Sequence, residues 1–153
     1  MLSVRYLNDL LTGRIPEIAD PEAQIIESQG LDTITTLLSS FNSVRFPVVI
    51  LEGRSSGSIQ MVEGPVDFHT ESIWVMEQLG AGEDEARVYE DAFRLGKRIL
   101  AILLHESASA VENPHLDGWD YRRTSYMKRY GGPNARGWEF VLSFAEDVPL
   151  LPD

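Results

Sequence analysis

The sequence contains no cysteine. That excludes disulfides, thiolate metal sites and cysteine nucleophiles, and it fits a virion or a bacterial cytoplasm rather than secretion. Long apolar runs are also missing. The longest, Ile99 to Leu104, has six residues, far short of the roughly 18–20 that a membrane-crossing helix needs, so no membrane contact is expected. The first residues, MLSVRYLNDLLTGR, carry Asp9 and have no clean apolar core, so no signal peptide is expected. Basic residues are scarce: 13 Lys and Arg stand against 24 Asp and Glu, for a net charge of −11. Phosphate contacts need lysine and arginine, which argues against general nucleic-acid binding. Histidine is limited to His69, His105 and His115. His105-Glu106 lacks the second histidine, four residues on, that a zinc helix requires. His69 and Asp67 share a strand face, but two ligands do not make a site. Neither a metal nor a cofactor is expected.

What is present is organised around Glu83 to Glu106, EDEARVYEDAFRLGKRILAILLHE. Tyr89, Ala92, Phe93, Gly96, Ile99, Leu100 and Leu103 recur at steps of three and four, one face of a helix. From Ile99 to Leu104 the apolar face widens nearly all round, so cover on more than one side is expected. Leu100→Ala is then expected to cost about 2–5 kcal/mol. Acidic Glu83, Asp84 and Glu85 suit the first turn, and Glu83–Arg87 and Glu90–Arg94 are favourable pairs at a spacing of four.

Upstream, Val4 to Leu11 reads as a short helix, with Gly13 as breaker. Residues 1–20 are expected to pack loosely. Asp20-Pro21-Glu22 opens a helix expected to run to Ser28 with Ile25 and Ile26 inward, and Thr33 to Phe41 reads as a further helical piece. FPVVILE is a β-branched strand, GRSSG a turn, SIQMVEG a second strand and VDFHTESIWVMEQL a third. After the helix, SASAVENPHLDG is a polar loop. GWDYRRTSYMKRY and GWEFVLSFAED then form a β-hairpin around GGPNARG, with Trp138, Phe140, Leu142 and Phe144 on one face, and Leu150 and Leu151 are expected to hold the tail. The 153 residues are a one-domain length. Helices that do not alternate with strands exclude a doubly wound fold. The expectation is an α+β domain: a mainly antiparallel sheet, the helix of residues 83–106 on one face, N-terminal helices and a C-terminal hairpin.

Arg122, Arg123, Lys128, Arg129 and Arg136 fall within 15 residues on that hairpin. They read either as a solvated face or as a basic arm for an acidic partner surface, and they are expected to be mostly exposed. Gly53-Arg54-Ser55-Ser56-Gly57 matches the G-x-S-x-G of hydrolase elbows, but the following SIQMVEG reads as strand where an elbow needs a helix. Trp74, Trp119, Trp138, Tyr121, Tyr126 and Tyr130 could stack on single-stranded nucleic acid, although aromatics alternating in a sheet are usually core.

In its order of elements the chain resembles the tail-terminator and tail-completion (minor tail) proteins of tailed bacteriophages and prophages. The likeness rests on an N-terminal helix, FPVVILEG leading a meander, the long helix, and a hairpin ending in GWEFVLSFAEDVPL. It covers roughly residues 20–148. The resemblance implies a non-enzymatic virion protein that forms rings, typically hexameric, with copies of itself and with tail and head proteins. Sheet edges and the basic hairpin would make the contacts. Two other readings are carried beside it: a ligand- or peptide-binding α+β module with a cleft beside Glu112 to Gly118, and a hydrolase using Ser55.

Overall fold

In the computed structural model, which describes residues 1–28, 44–109 and 111–149, Asp84 starts the long helix. Its carboxylate accepts the Ala86 N–H at 3.1 Å, a side-chain cap for one of the N–H groups a helix start leaves free. The other helices and strands, in chain order, are α1 (Val4–Leu11), α2 (Pro21–Gln24), β1 (Ile25–Ser28), β2 (Val48–Met61), β3 (Pro65–Gln78), the long helix α3 (Glu85–Ser107), a 3-10 turn (Tyr121–Arg123), β4 (Ser125–Tyr130) and β5 (Ala135–Asp147). The helix expected over Thr33 to Phe41, and Leu150 and Leu151, lie outside the described residues. No described helix is long and apolar enough to cross a membrane.

The architecture is α+β. One five-stranded sheet runs in the order β1-β2-β3-β5-β4. It is mixed: β1 pairs parallel to β2, and all other pairs are antiparallel. β3 lies at the centre, and its stretch Ile73 to Met76 is apolar on both faces, because strand residues alternate in direction. Ile73 and Val75 join the core beneath α3, while Trp74 and Met76 join a second cluster with Val48, Ile50 and Ala135.

On α3 the buried stripe is Val88, Ala92, Leu95, Gly96, Ile99 and Leu103. It is rotated slightly from the expected stripe, so Tyr89, Phe93 and Leu100 fall on its half-buried margin. Cover comes from one side only: Ala101 and Leu104 are exposed. Gly96 has a specific reason to be glycine. A Cβ there would run into the ring of Phe140 on β5, so the missing side chain lets helix and sheet approach closely. Along the helix Arg94 reaches Glu90 at 2.8 Å as expected, but Arg87 turns to Asp91 at 4.0 Å instead of back to Glu83.

Three other expectations change. Residues 1–20 are not loosely packed: Leu2, Leu7, Leu10, Leu11, Ile15 and Ile18 are all buried in the same core as Ile99 and Leu103. Ser3 caps α1 by accepting the Tyr6 N–H at 3.1 Å. The helix from Pro21 stops after one turn. Gln24 is buried, accepts the Asp20 N–H at 2.7 Å and donates to the carbonyls of Glu17 and Pro47 at 2.8 and 3.1 Å. The β-branched pair Ile25-Ile26 then extends as β1 beside Val49 and Ile50. Finally, GRSSG is no turn. β2 runs through it, and a register irregularity between Glu52 and Ser56 absorbs the extra residues. The turn comes later, at 62–64, where Gly64 takes a positive φ of 122°.

Candidate functional site

The five basic residues of the hairpin separate. Arg122, Arg123 and Lys128 are exposed. Lys128 holds its ammonium 4.3 Å from the centre of the Tyr89 ring, a cation–π contact. Arg129 points to the opposite face of the sheet, is half-buried, and donates from Nε to Glu139 at 2.8 Å. Arg136 is 7% exposed. Its guanidinium bonds Glu85 at 3.0 Å and the Ala135 carbonyl at 2.8 Å, and lies over Tyr130 at 4.1 Å. Alternation along the strands explains the split: Arg136 faces the start of α3, where Glu85 neutralises it. The exposed part of the basic arm is therefore Arg122, Arg123 and Lys128.

Two sheet edges stand open among the described residues. β1 covers only Val49 to Glu52 of β2. Beyond that, β2 continues for nine more residues, Gly53 to Met61, of which Ser56 to Met61 pair with β3 and none pairs on the other side among the described residues. Ile59 and Met61 there are 66% and 78% exposed, and Arg54 is the one charged residue of the stretch. A long, nearly uncharged edge is a template for pairing with another strand. The second edge is β4, bonded on one side only, to β5, with Tyr126, Met127 and Tyr130 exposed.

Beside β4 an apolar groove of about 430 Å³ runs between strand and helix, lined by Phe93, Leu100, Leu104, Trp119, Tyr121 and Tyr126 among others. Tyr126 packs on Phe93 and Trp138 with ring centres 5.0 and 5.7 Å apart. The six aromatics considered for base stacking do not share a platform. Trp74 is buried on the other face, Trp119 is buried, and Tyr121, Tyr126 and Tyr130 are exposed. A separate cleft of about 340 Å³ lies beside the Glu112 to Gly118 loop.

Ser55 sits in an extended strand, with no sharp strand-to-helix turn. Its hydroxyl lies 3.4 Å from that of Thr70, and among the described residues no histidine is in hydrogen-bond reach. His69 is buried on β3 with Nε2 3.2 Å from the buried carboxylate of Glu71. Its Nδ1 faces Asp67 at 3.7 Å, and Glu146 of β5 lies close by. His69 and Asp67 are recognisable in the sequence as neighbours on one strand face, whereas Glu146 comes to them only through strand pairing across about half the chain.

Glu77 occupies a cleft with Glu17, Asp91, Arg94 and Arg98. Burial, followed by the charges of Asp91, Glu17 and Glu83, pushes its pKa up from 4.5 to about 7. The folded chain thus holds this proton where an unfolded glutamate has released it. The stability it contributes is full below pH 4.5 and is lost as pH rises through 7. Glu77→Gln should match the wild type in Tm at pH 4.5. At pH 8 it should exceed the wild type by about 1–2 kcal/mol, allowing for the group's partial exposure. Thermal unfolding at the two pH values checks this; an equal gain at both would remove the titration argument.

No known family model matches the chain, and no curated protein matches it.

Proposed function

We propose that the protein is a non-enzymatic structural subunit that joins copies of itself head to tail. This is the role of a phage or prophage ring component at the tail end or neck, as its resemblance implies. The observation that supports the reading is the pair of open edges on opposite sides of one sheet. β2 is antiparallel to β3, β3 to β5, and β5 to β4, so β2 and β4 run in opposite directions. Copies placed side by side in the same orientation would pair β2 with the neighbour's β4 as an ordinary antiparallel ladder. Such a contact is heterologous, and heterologous contacts close into rings or extend as filaments.

The edges are also offset. The open half of β2 centres on Gly57, level with Phe144 of β5, whereas β4 centres on Lys128, opposite Trp138. Six residues along β5 correspond to about 20 Å. Each copy would step along the strand direction, as strands do in a tilted closed wall. Exposed Ile59, Met61, Tyr126 and Met127 would then be covered, together with the exposed basic residues that lead into β4.

Size-exclusion chromatography with light scattering tests this. The wild type at high concentration should run as a multiple of 17.2 kDa greater than two. Ile59→Lys with Met61→Lys, or Met127→Lys alone, should return it to one chain, because a charge on an edge strand blocks pairing. A wild type that stays at one or two chains at every concentration refutes head-to-tail assembly. The apolar groove beside β4 favours a second reading, a peptide-binding module; a stable monomer that captures apolar peptides there would select it.

A further inference from the structure

We infer that Asp67, His69 and Glu146 form a site for a divalent transition-metal cation of the zinc class. One ligand atom from each lies within 4.8 Å of the other two. The strands bring them together: Asp67 and His69 share a face of β3, and Glu146 is the direct cross-strand partner of Asp67 on β5. Close carboxylates alone would mean little. The informative atom is His69 Nδ1. The residue is 2% exposed, Nδ1 has no hydrogen-bond partner, and it faces the Asp67 carboxylate at 3.7 Å.

The tautomer follows from what lies behind the ring. Glu71 is fully buried; one of its oxygens accepts the Leu2 N–H at 3.1 Å and the other lies 3.2 Å from His69 Nε2. A carboxylate only accepts, so a neutral imidazole here keeps its proton on Nε2 and its lone pair on Nδ1. A carboxylate–histidine pair of this kind orients metal-binding imidazoles and raises their basicity. Phe144, stacked on the ring at 5.2 Å, fixes its plane. A lone pair facing carboxylates calls for a positive charge between them. Arg54 supplies part of it from outside, with its guanidinium 2.8 Å from Asp67 and 3.6 Å from Glu146. Arg54 has no lone pair to offer a metal, and its side chain is 47% exposed, so it can swing away.

Imidazole nitrogen with two carboxylate oxygens suits zinc and its neighbours, whereas calcium and magnesium favour all-oxygen shells. Zinc–ligand bonds of about 2.0–2.2 Å need a slightly tighter set than the present one, which rotation of the half-buried carboxylates provides. The metal would pin β3 to β5 beside the open half of β2, with a coordination position left for water.

Zinc chloride titrated into the full chain tests this, read by competition with a chromophoric chelator and by thermal unfolding. One equivalent should bind with a dissociation constant on the order of micromolar, and saturating zinc should raise Tm by several degrees. Arg54→Ala should tighten binding by removing the competing cation. Glu71→Gln, whose amide donates to Nε2 and so moves the proton to Nδ1, should weaken binding about 10–100-fold. His69→Gln and Glu146→Gln should abolish it. Glu146 is half-buried, so loss of binding in a variant with a wild-type circular dichroism spectrum reports on the site and not on folding. No zinc-dependent shift in either the wild type or Arg54→Ala would overturn the assignment. So would binding that survives both His69→Gln and Glu146→Gln.

Discussion

Glu71→Ala should destabilise the protein by about 3–5 kcal/mol, the combined cost of leaving two buried donors without an acceptor. Glu71 has no exposed surface. Its two oxygens serve two elements: the Leu2 backbone N–H at the start of the chain and His69 in the middle of β3. Removing the carboxylate leaves both donors buried without an acceptor, and each such orphan costs about 1–3 kcal/mol. It also releases the N-terminal segment, whose Leu2, Leu7 and Leu11 lie in the core. Glu71→Gln keeps an acceptor for Leu2 and should lose less than half as much. Urea unfolding of the two variants checks this. Equal losses would mean that the charge decides here and that the retained shape and acceptor count for nothing.

Ile99→Ala should cost about 2–5 kcal/mol, by lost transfer energy and the cavity left behind. Ile99 is 1% exposed and lies in the stripe of α3 that meets Ile73, Val75 and Phe140. Leu104, one turn and a residue later, is 39% exposed, and Leu104→Ala should fall within about 0.5 kcal/mol of the wild type. Leu100 is half-buried, so Leu100→Ala belongs between them, below the full core cost that the sequence alone suggests. Denaturant midpoints for the three variants should rank in that order. A loss at Leu104 as large as that at Ile99 would mean that both sides of the helix are covered in the isolated chain.

These elements show how far residues speak for themselves. The long helix was legible because 23 residues carry one unbroken period and an acidic start. Val4–Leu11 and the aromatic strand around Trp138 were legible from their own apolar periods, helical in the first and alternating in the second. What failed was punctuation. Gly53 and Gly57 look like a turn, yet both accept extended backbone, and the pairing with β3 on either side of the irregularity at 53–55 outweighs their local preference. Pro21 and Asp20 announce a helix correctly, but its length depended on the buried bonds of Gln24, which no local pattern displays. Arg136 reads as surface, and only the fold brings Glu85 and Tyr130 to it. Glu146 was invisible as a companion of His69 for a like reason: 77 residues separate them, and register alone makes them neighbours.

The absence of cysteine makes the central claim directly measurable. Ser58 on β2 and Ser125 on β4 are both exposed and lie on the same face of the sheet. Mixing Ser58→Cys with Ser125→Cys under mild oxidation should give the mixed dimer in excess over either self-linked pair, and the double variant should give a ladder of multimers on a non-reducing gel. A double variant that yields only monomer, or single variants that link only to themselves, would contradict head-to-tail joining through the two open edges.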